Sequence, residues 1–209
     1  MHKRLKSLTV ICAVALSTLA ALAAEIDDFL AGTSRSCVRC DLSGRDLQSR
    51  NFARTRLDQA NLKDANLSAA SLFRASLLRA DLSGAQLVGA NLVGSKLPAA
   101  DLRGARLAGA KLSGADLRAA ALHSQNLREL DLRGADLSMS DMPEVDLRGA
   151  DLRDAQLAGV DLYGANLNSA DLRGANLEGA NLTNAILTDA RIEGAKFDGA
   201  IMPDGKRRE

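Results

Sequence analysis

From residue 42 onward, every position whose number ends in 2 or 7 carries Leu, Phe, Ile or Met. The series runs from Leu42 and Phe52 to Phe197 and Met202, 33 positions without an insertion. Two residues before each one, from Ala60 to Ala200, the residue is Ala at 23 of 29 positions. The exceptions are Ser95, Gln125, Leu130, Ser140, Val145 and Val160. Asp or Asn usually stands between the small and the large residue, as in Ala80-Asp81-Leu82. A register held this long is a repeat architecture, and everything else is read within it.

A period of five excludes both ordinary elements. On an α-helix, successive large residues would rotate by about 140° and wander around the axis. On a straight strand, an odd repeat sends every second one to the opposite face. The chain must therefore turn once per repeat and wind into a coil with the large and small residues inward. Fifteen of the 17 glycines lie two residues after the large position, and Pro98, Pro143 and Pro203 lie one after it. Pro then Gly is the order of a type II turn, whose second central residue needs a positive φ.

These features resemble the pentapeptide-repeat proteins, whose pattern is A-(D/N)-L-x-x, and the likeness covers Cys40 to about Pro203. The resemblance implies an all-β fold: a right-handed quadrilateral β-helix of about eight coils, with about twenty residues per coil. At about 4.8 Å per coil the rod would be about 40 Å long. Residues twenty apart then stack, so Leu82, Leu102 and Leu122 form one column. The pattern weakens in two places. The first coil carries Cys40, Arg45, Arg50 and Thr55 at the small positions. The stretch from Ala121 to Val145 places Gln125, Leu130, Met142 and Val145 inward.

Outside the repeat, residues 1–23 read as a signal peptide. His2, Lys3, Arg4 and Lys6 precede an apolar run from Leu8 to Leu22, which ends in Ala21-Leu22-Ala23. The run is short for a membrane span, so no stable span is expected after cleavage. Residues 24–39 read as an N-terminal cap, a short helix with Ile26, Phe29 and Leu30 on one face and Gly32 as its stop. Arg45 and Arg50 are placed to pair with Asp27 or Asp28. The β-helix occupies 40–203, and 204–209 form a polar tail with no capping helix. Both rod ends expose unpaired backbone; the open C-terminal end is a candidate homodimer contact.

Composition changes this picture little. Aromatic residues are 2% of the chain and Trp is absent, so Leu and Ala must build the core. Formal charge is +1; removal of residues 1–23 leaves 24 basic against 26 acidic residues, about −2. No net field favours nucleic acid.

Candidate chemistry is sparse. Cys37-Val38-Arg39-Cys40 suits a structural disulfide in an exported chain, a redox pair, or half a zinc site. In register, Cys37 falls on a large inward position and Cys40 on a small one, which favours the disulfide. Asp131, Asp151 and Asp171 stack in one column beside Arg133, Arg153 and Arg173. They form either a self-compensating ladder or a stripe for a charged partner. His123, Gln125 and Glu129 mark the irregular stretch, and Tyr163 is the single tyrosine. No catalytic set, metal cluster or phosphate loop is legible, so no metal, cofactor or enzymatic activity is expected.

The expected function is a non-enzymatic scaffold of the cell envelope, periplasmic or secreted, that binds a protein partner and no nucleic acid. Two alternatives stand beside it. The resemblance brings in DNA mimicry toward type II topoisomerases, as some family members show; the motif brings in a redox-active CxxC protein.

Overall fold

A computed structural model describes residue 21 and residues 23–209 of the 209-residue chain. The signal-peptide reading of 1–23 falls almost wholly outside the described residues. Helix α1 spans 23–31, and all that follows is one coil.

Each repeat contributes one bridge residue, a large inward residue, a two-residue turn and a small inward residue. With one exception, between Arg106 and Asn126, parallel bridges join each bridge residue to the one twenty further on, as in Asp41↔Asn61 and Asn61↔Asp81. Twenty residues therefore make one coil of four sides. Side A carries the bridge series Ser36 to Lys196, side B Asp41 to Ile201, side C Asp46 to Ile186, and side D Asn51 to Arg191. The β structure consists of single bridges rather than strands, because the chain turns before a second rung can form. The ladder begins at Ser36, so the Cys37 side already belongs to the first coil.

The turns have type II geometry. The N–H of the small residue donates to the carbonyl of the large one, 3.0 Å for Ala65 to Leu62. The residue two after each large position from Cys37 to Phe197 has a positive φ, and after Met202 Gly205 takes it instead. Glycine fills 15 of these places, and 18 other residues adopt the same conformation. A left-handed φ costs a non-glycine residue about 1–2 kcal/mol. The turn bond and the ladder bonds on either side hold it there, while its side chain points to solvent. Asp or Asn before the large residue has a local cause too. Its Oδ1 accepts the N–H two residues on, as Asn61 does from Lys63 and Asp81 from Ser83.

The core is a shaft of Leu and Ala; the large inward leucines from Leu62 to Leu102 are all buried. Where a hydroxyl replaces the small Ala, it stays satisfied: Ser95, Ser140 and Thr55 donate to the carbonyl three residues back. Larger residues strain the turn. The turn bond lengthens to 3.3 Å at Gln125 and 3.4 Å at Leu130 and Val145.

The two ends close differently. Phe29 of α1 stacks on Phe52 at 5.1 Å, with Ile26 and Leu30 against the core. Gly32, at φ 78°, stops the helix: its N–H donates to Phe29 O while the Thr33 N–H reaches Asp28 O. Arg50 does not pair with Asp27 or Asp28; it donates to the Leu30 carbonyl, an orphan acceptor at the helix end. Arg45 forms no ion pair with either acid among the described residues. At the other end the tail folds back. Arg207 bridges Ile201 antiparallel, and Gly199, Ala200 and Met202 exchange hydrogen bonds with Lys206 and Arg208. The corner between sides A and B is thereby covered, while Ile186 and Ile192 stay exposed on the rest of the last coil.

Candidate functional site

The chemistry-bearing residues lie in four separate places. Cys37 and Cys40 form a disulfide with Cα atoms 5.3 Å apart. Both are buried in the base of the first coil, facing the underside of the cap. A buried bridge offers no thiolate to a substrate.

The Asp/Arg column occupies side D. Arg133, Arg153 and Arg173 each grip the Asp two residues back side-on, with Nε to Oδ1 at 2.8 Å and Nη2 to Oδ2 at 2.6–2.8 Å. Longer contacts of 3.6 and 3.8 Å link Arg133 to Asp151 and Arg153 to Asp171 in the next coil. The same Asp-Leu-Arg clamp closes at Asp101–Arg103 on side B, Asp116–Arg118 on side A and Asp146–Arg148 on side C. It is a local device available to any side, and the side D column is three copies that happen to stack. The Arg173 guanidinium beside Asp171 holds that carboxyl at about 2, and the other clamped carboxyls lie below their ordinary value for the same reason.

The irregular stretch is where the rod departs from its own rule. The bridge between Arg106 and Asn126 on side C is missing, although every other side joins these two coils. The N–H groups of Gly104, Leu107, Gly109, Asn126 and Asp131 lack the inter-coil bond that their equivalents make elsewhere. Gln125 and Leu130 occupy both inward corners of this side, 5% and 2% exposed, where Ala105 and Ala110 stand one coil below. Their bulk forces side C outward. A cleft of about 340 Å³ opens, lined by Ala108, Gly109, Asn126, Arg128 and Glu129. Arg128 follows Asn126 rather than Asp, so its clamp lacks a carboxylate.

The polar residues of this stretch do not converge. Glu129 lines the cleft, Gln125 points inward, and His123 sits on side B with Nδ1 2.9 Å from Asp141 Oδ2. Tyr163 lies two coils above His123, with its hydroxyl accepting from Asn184. Among the described residues no group of His, Cys, Asp and Glu could hold a metal, and no helix is long and apolar enough to cross a membrane. The sequence reading missed the cleft residues Asn126 and Arg128. The signal was present: two bulky residues at both small positions of one side.

Comparison with known proteins follows the same register. A family model described as pentapeptide repeats matches in overlapping stretches from 36–77 to 165–202. No curated protein matches the sequence significantly. Among solved structures, the chain is similar to HetL of the cyanobacterium Nostoc sp. strain PCC 7120, a pentapeptide repeat protein involved in heterocyst differentiation regulation. Identity is 32% over 88% of this chain and 97% of that one, with a TM-score of 0.46. It is similar to QnrB1, a plasmid-mediated fluoroquinolone resistance protein, at 24% identity over 77% and 79% of the two chains, with a TM-score of 0.39. A pentapeptide repeat protein of the Arabidopsis thaliana thylakoid lumen matches at 27% identity over 65% and 70%, with a TM-score of 0.25. No enzyme family is indicated. The twenty-residue coil, the turn after every large residue and the match across 36–202 together make this chain a member of the pentapeptide-repeat family, whose fold is the right-handed quadrilateral β-helix.

Proposed function

We propose that this protein is a non-enzymatic scaffold of the cell envelope that presents its flat sides to a protein partner. One observation carries the reading: six of its surface carboxylates are held side-on by their own Arg neighbours, on all four sides of the rod. A mimic of duplex DNA needs an uncompensated anionic surface. These clamps neutralise six of the carboxylates and leave ordered polar faces suited to protein contact. Export follows from the charged start, apolar run and Ala-Leu-Ala end of residues 1–23. The buried Cys37–Cys40 bridge suits an oxidising compartment and a clasp between cap and rod.

Crosslinking and pull-down from an envelope fraction, with amino-terminal sequencing of the recovered protein, tests the proposal. A start at or near Ala24 and a specific envelope protein in the eluate support it. A cytoplasmic protein that keeps Met1 and inhibits supercoiling by a type II topoisomerase would sink it in favour of DNA mimicry. The redox alternative is tested separately. The clasp expects Cys37→Ala/Cys40→Ala to keep the β-helix circular dichroism and lose about 1–2 kcal/mol, because so short a loop restricts little unfolded chain. A bridge that dithiothreitol opens readily in the folded protein, with no stability lost in the double variant, would favour redox activity.

A further inference from the structure

Net charge conceals a large separation of charge along the rod. Residues 35–111 hold 13 Lys and Arg against 6 Asp and Glu, while residues 112–203 hold 8 against 15. The clamps sharpen the contrast, since five of the six lie wholly in the second half and occupy five of its eight cations. Arg54, Arg74, Arg79, Lys96 and Lys111 are left without ion pairs in the first half, and Glu144, Asp154 and Glu178 in the second, among the described residues. The crossover falls at the coil that contains Asp116 and Arg118, near the middle of the rod.

Side A and its corner with side D carry this separation in a self-complementary arrangement. Consider a second copy turned end over end about an axis that crosses side A at Asp116–Arg118. Each residue then keeps its place across the side, and coils at equal distances from the axis exchange. Lys96 meets Asp136 of the second copy, and Arg74 meets Asp154 of the second copy. Symmetry repeats both pairs, giving four in all. The axis itself crosses a neutralised clamp, Asp116 with Arg118 at 2.8 Å. Apolar groups fall into matching places. Met139, the most exposed large hydrophobic residue at 70%, meets Ala99 of the second copy, and the exposed Leu78 meets Ala158 of the second copy. Like charges meet at the axis, where each is already neutralised within its own clamp, and away from it at Asp58 with Glu178 of the second copy, where Arg56 stands 3.6 Å from Asp58.

We infer that side A is a self-association surface, on which two rods lie antiparallel with the basic half of each against the acidic half of the other. A second copy fits better than an anionic membrane or an acidic polymer, because either would be repelled by the acidic half of the same face. A side about 40 Å long and about 15 Å wide gives about 600 Å² per partner. The total of about 1,200 Å² is the lower edge of a specific interface, so association is modest and sensitive to salt.

Sedimentation velocity of the purified protein over a concentration series tests this at about 20 mM and about 500 mM salt. A dimer at low salt whose Kd rises about tenfold or more at high salt is expected. Lys96→Glu should abolish the dimer without changing the thermal melt, since Lys96 is exposed and unpaired. Adding Asp136→Lys to that variant should restore it. A monomer under all conditions would overturn the inference. So would a dimer indifferent to Lys96→Glu but broken by Ile192→Glu, which would move the contact to the C-terminal end. Flotation of a monomeric protein with vesicles rich in phosphatidylglycerol would overturn it in favour of a membrane surface.

Discussion

The coil from Asn61 to Ala80 and the coil from Ala121 to Ser140 share one register and have different walls. In the first, Ala65, Ala70, Ala75 and Ala80 fill the small positions, and all four sides bridge to both neighbouring coils. In the second, Gln125 and Leu130 take two of those positions, and one side parts from the coil below. Both coils bury their large residues equally well, so the Leu series alone does not close the ladder. A long turn bond alone does not break a rung, since Val145 has one of 3.4 Å and Asp146 still bridges both neighbours. The rung is lost where both inward corners of one side are bulky and the coil below carries Ala at both. The cleft opens downward for a related reason. Val145 continues the bulk above Gln125, whereas below it the step to Ala105 is abrupt.

The sharpest way to break the shared part of the comparison is to charge the shaft. Leu132→Asp puts an unpaired carboxylate among buried leucines and should cost more than about 4 kcal/mol or prevent folding, by thermal or denaturant melts. Arg118→Asp, on the exposed turn of a neighbouring coil, should cost about 1 kcal/mol or less. Equal losses would mean that the five-residue register had been misassigned.

A transplant addresses the difference itself. Ala65→Gln with Ala70→Leu should reproduce the gap in the regular coil and cost about 1–3 kcal/mol through overpacking. The amides that face across the new gap should then exchange faster with solvent deuterium. The converse variant, Gln125→Ala with Leu130→Ala, should slow exchange at Leu107 and Gly109. Its stability should fall by less than the about 2–5 kcal/mol typical of a buried Leu→Ala, because a restored rung offsets part of the lost burial. Unchanged exchange at Leu107 and Gly109 would separate the gap from these two side chains.

The smallest expected effect concerns the clamps, which the irregular coil shares with its neighbours above. Asp171 is held at about 2 in the folded protein, below the ordinary carboxyl value of the unfolded chain. Its contribution is therefore fully present above about pH 4 and is lost as the pH falls through about 2. Arg173→Ala should raise the Asp171 midpoint in a carboxyl-resolved NMR titration and lower stability at neutral pH only slightly, because the pair lies at the surface and is screened by solvent. An unmoved midpoint would assign the low value to the turn N–H rather than to the guanidinium.

Side C makes the limits of sequence reading concrete. Gln125 and Leu130 stand out as misfits in the repeat, but nothing in the sequence says whether the coil swells, the turn lengthens or a rung breaks. The Asp131, Asp151 and Asp171 column was legible as a stack. Its meaning changed once Asp101, Asp116 and Asp146 proved to hold identical clamps on other sides. The charge separation was written in the sequence, yet an overall balance near zero hid it, and only the coil places Lys96 and Asp136 on one face.

By itself the sequence determined the five-residue turn, the inward series from Leu42 to Met202 and the glycine-rich corners, while the pairing of residues twenty apart was implied by the family resemblance. The first three follow from local sterics and from burial repeated identically along the chain, so a linear pattern specifies them. Only the tertiary structure decided where the ladder breaks, how Arg50 and the folded-back tail close the two ends, and which charges share a side. Those outcomes depend on the volume and polarity of residues one coil away, which no residue's own repeat contains.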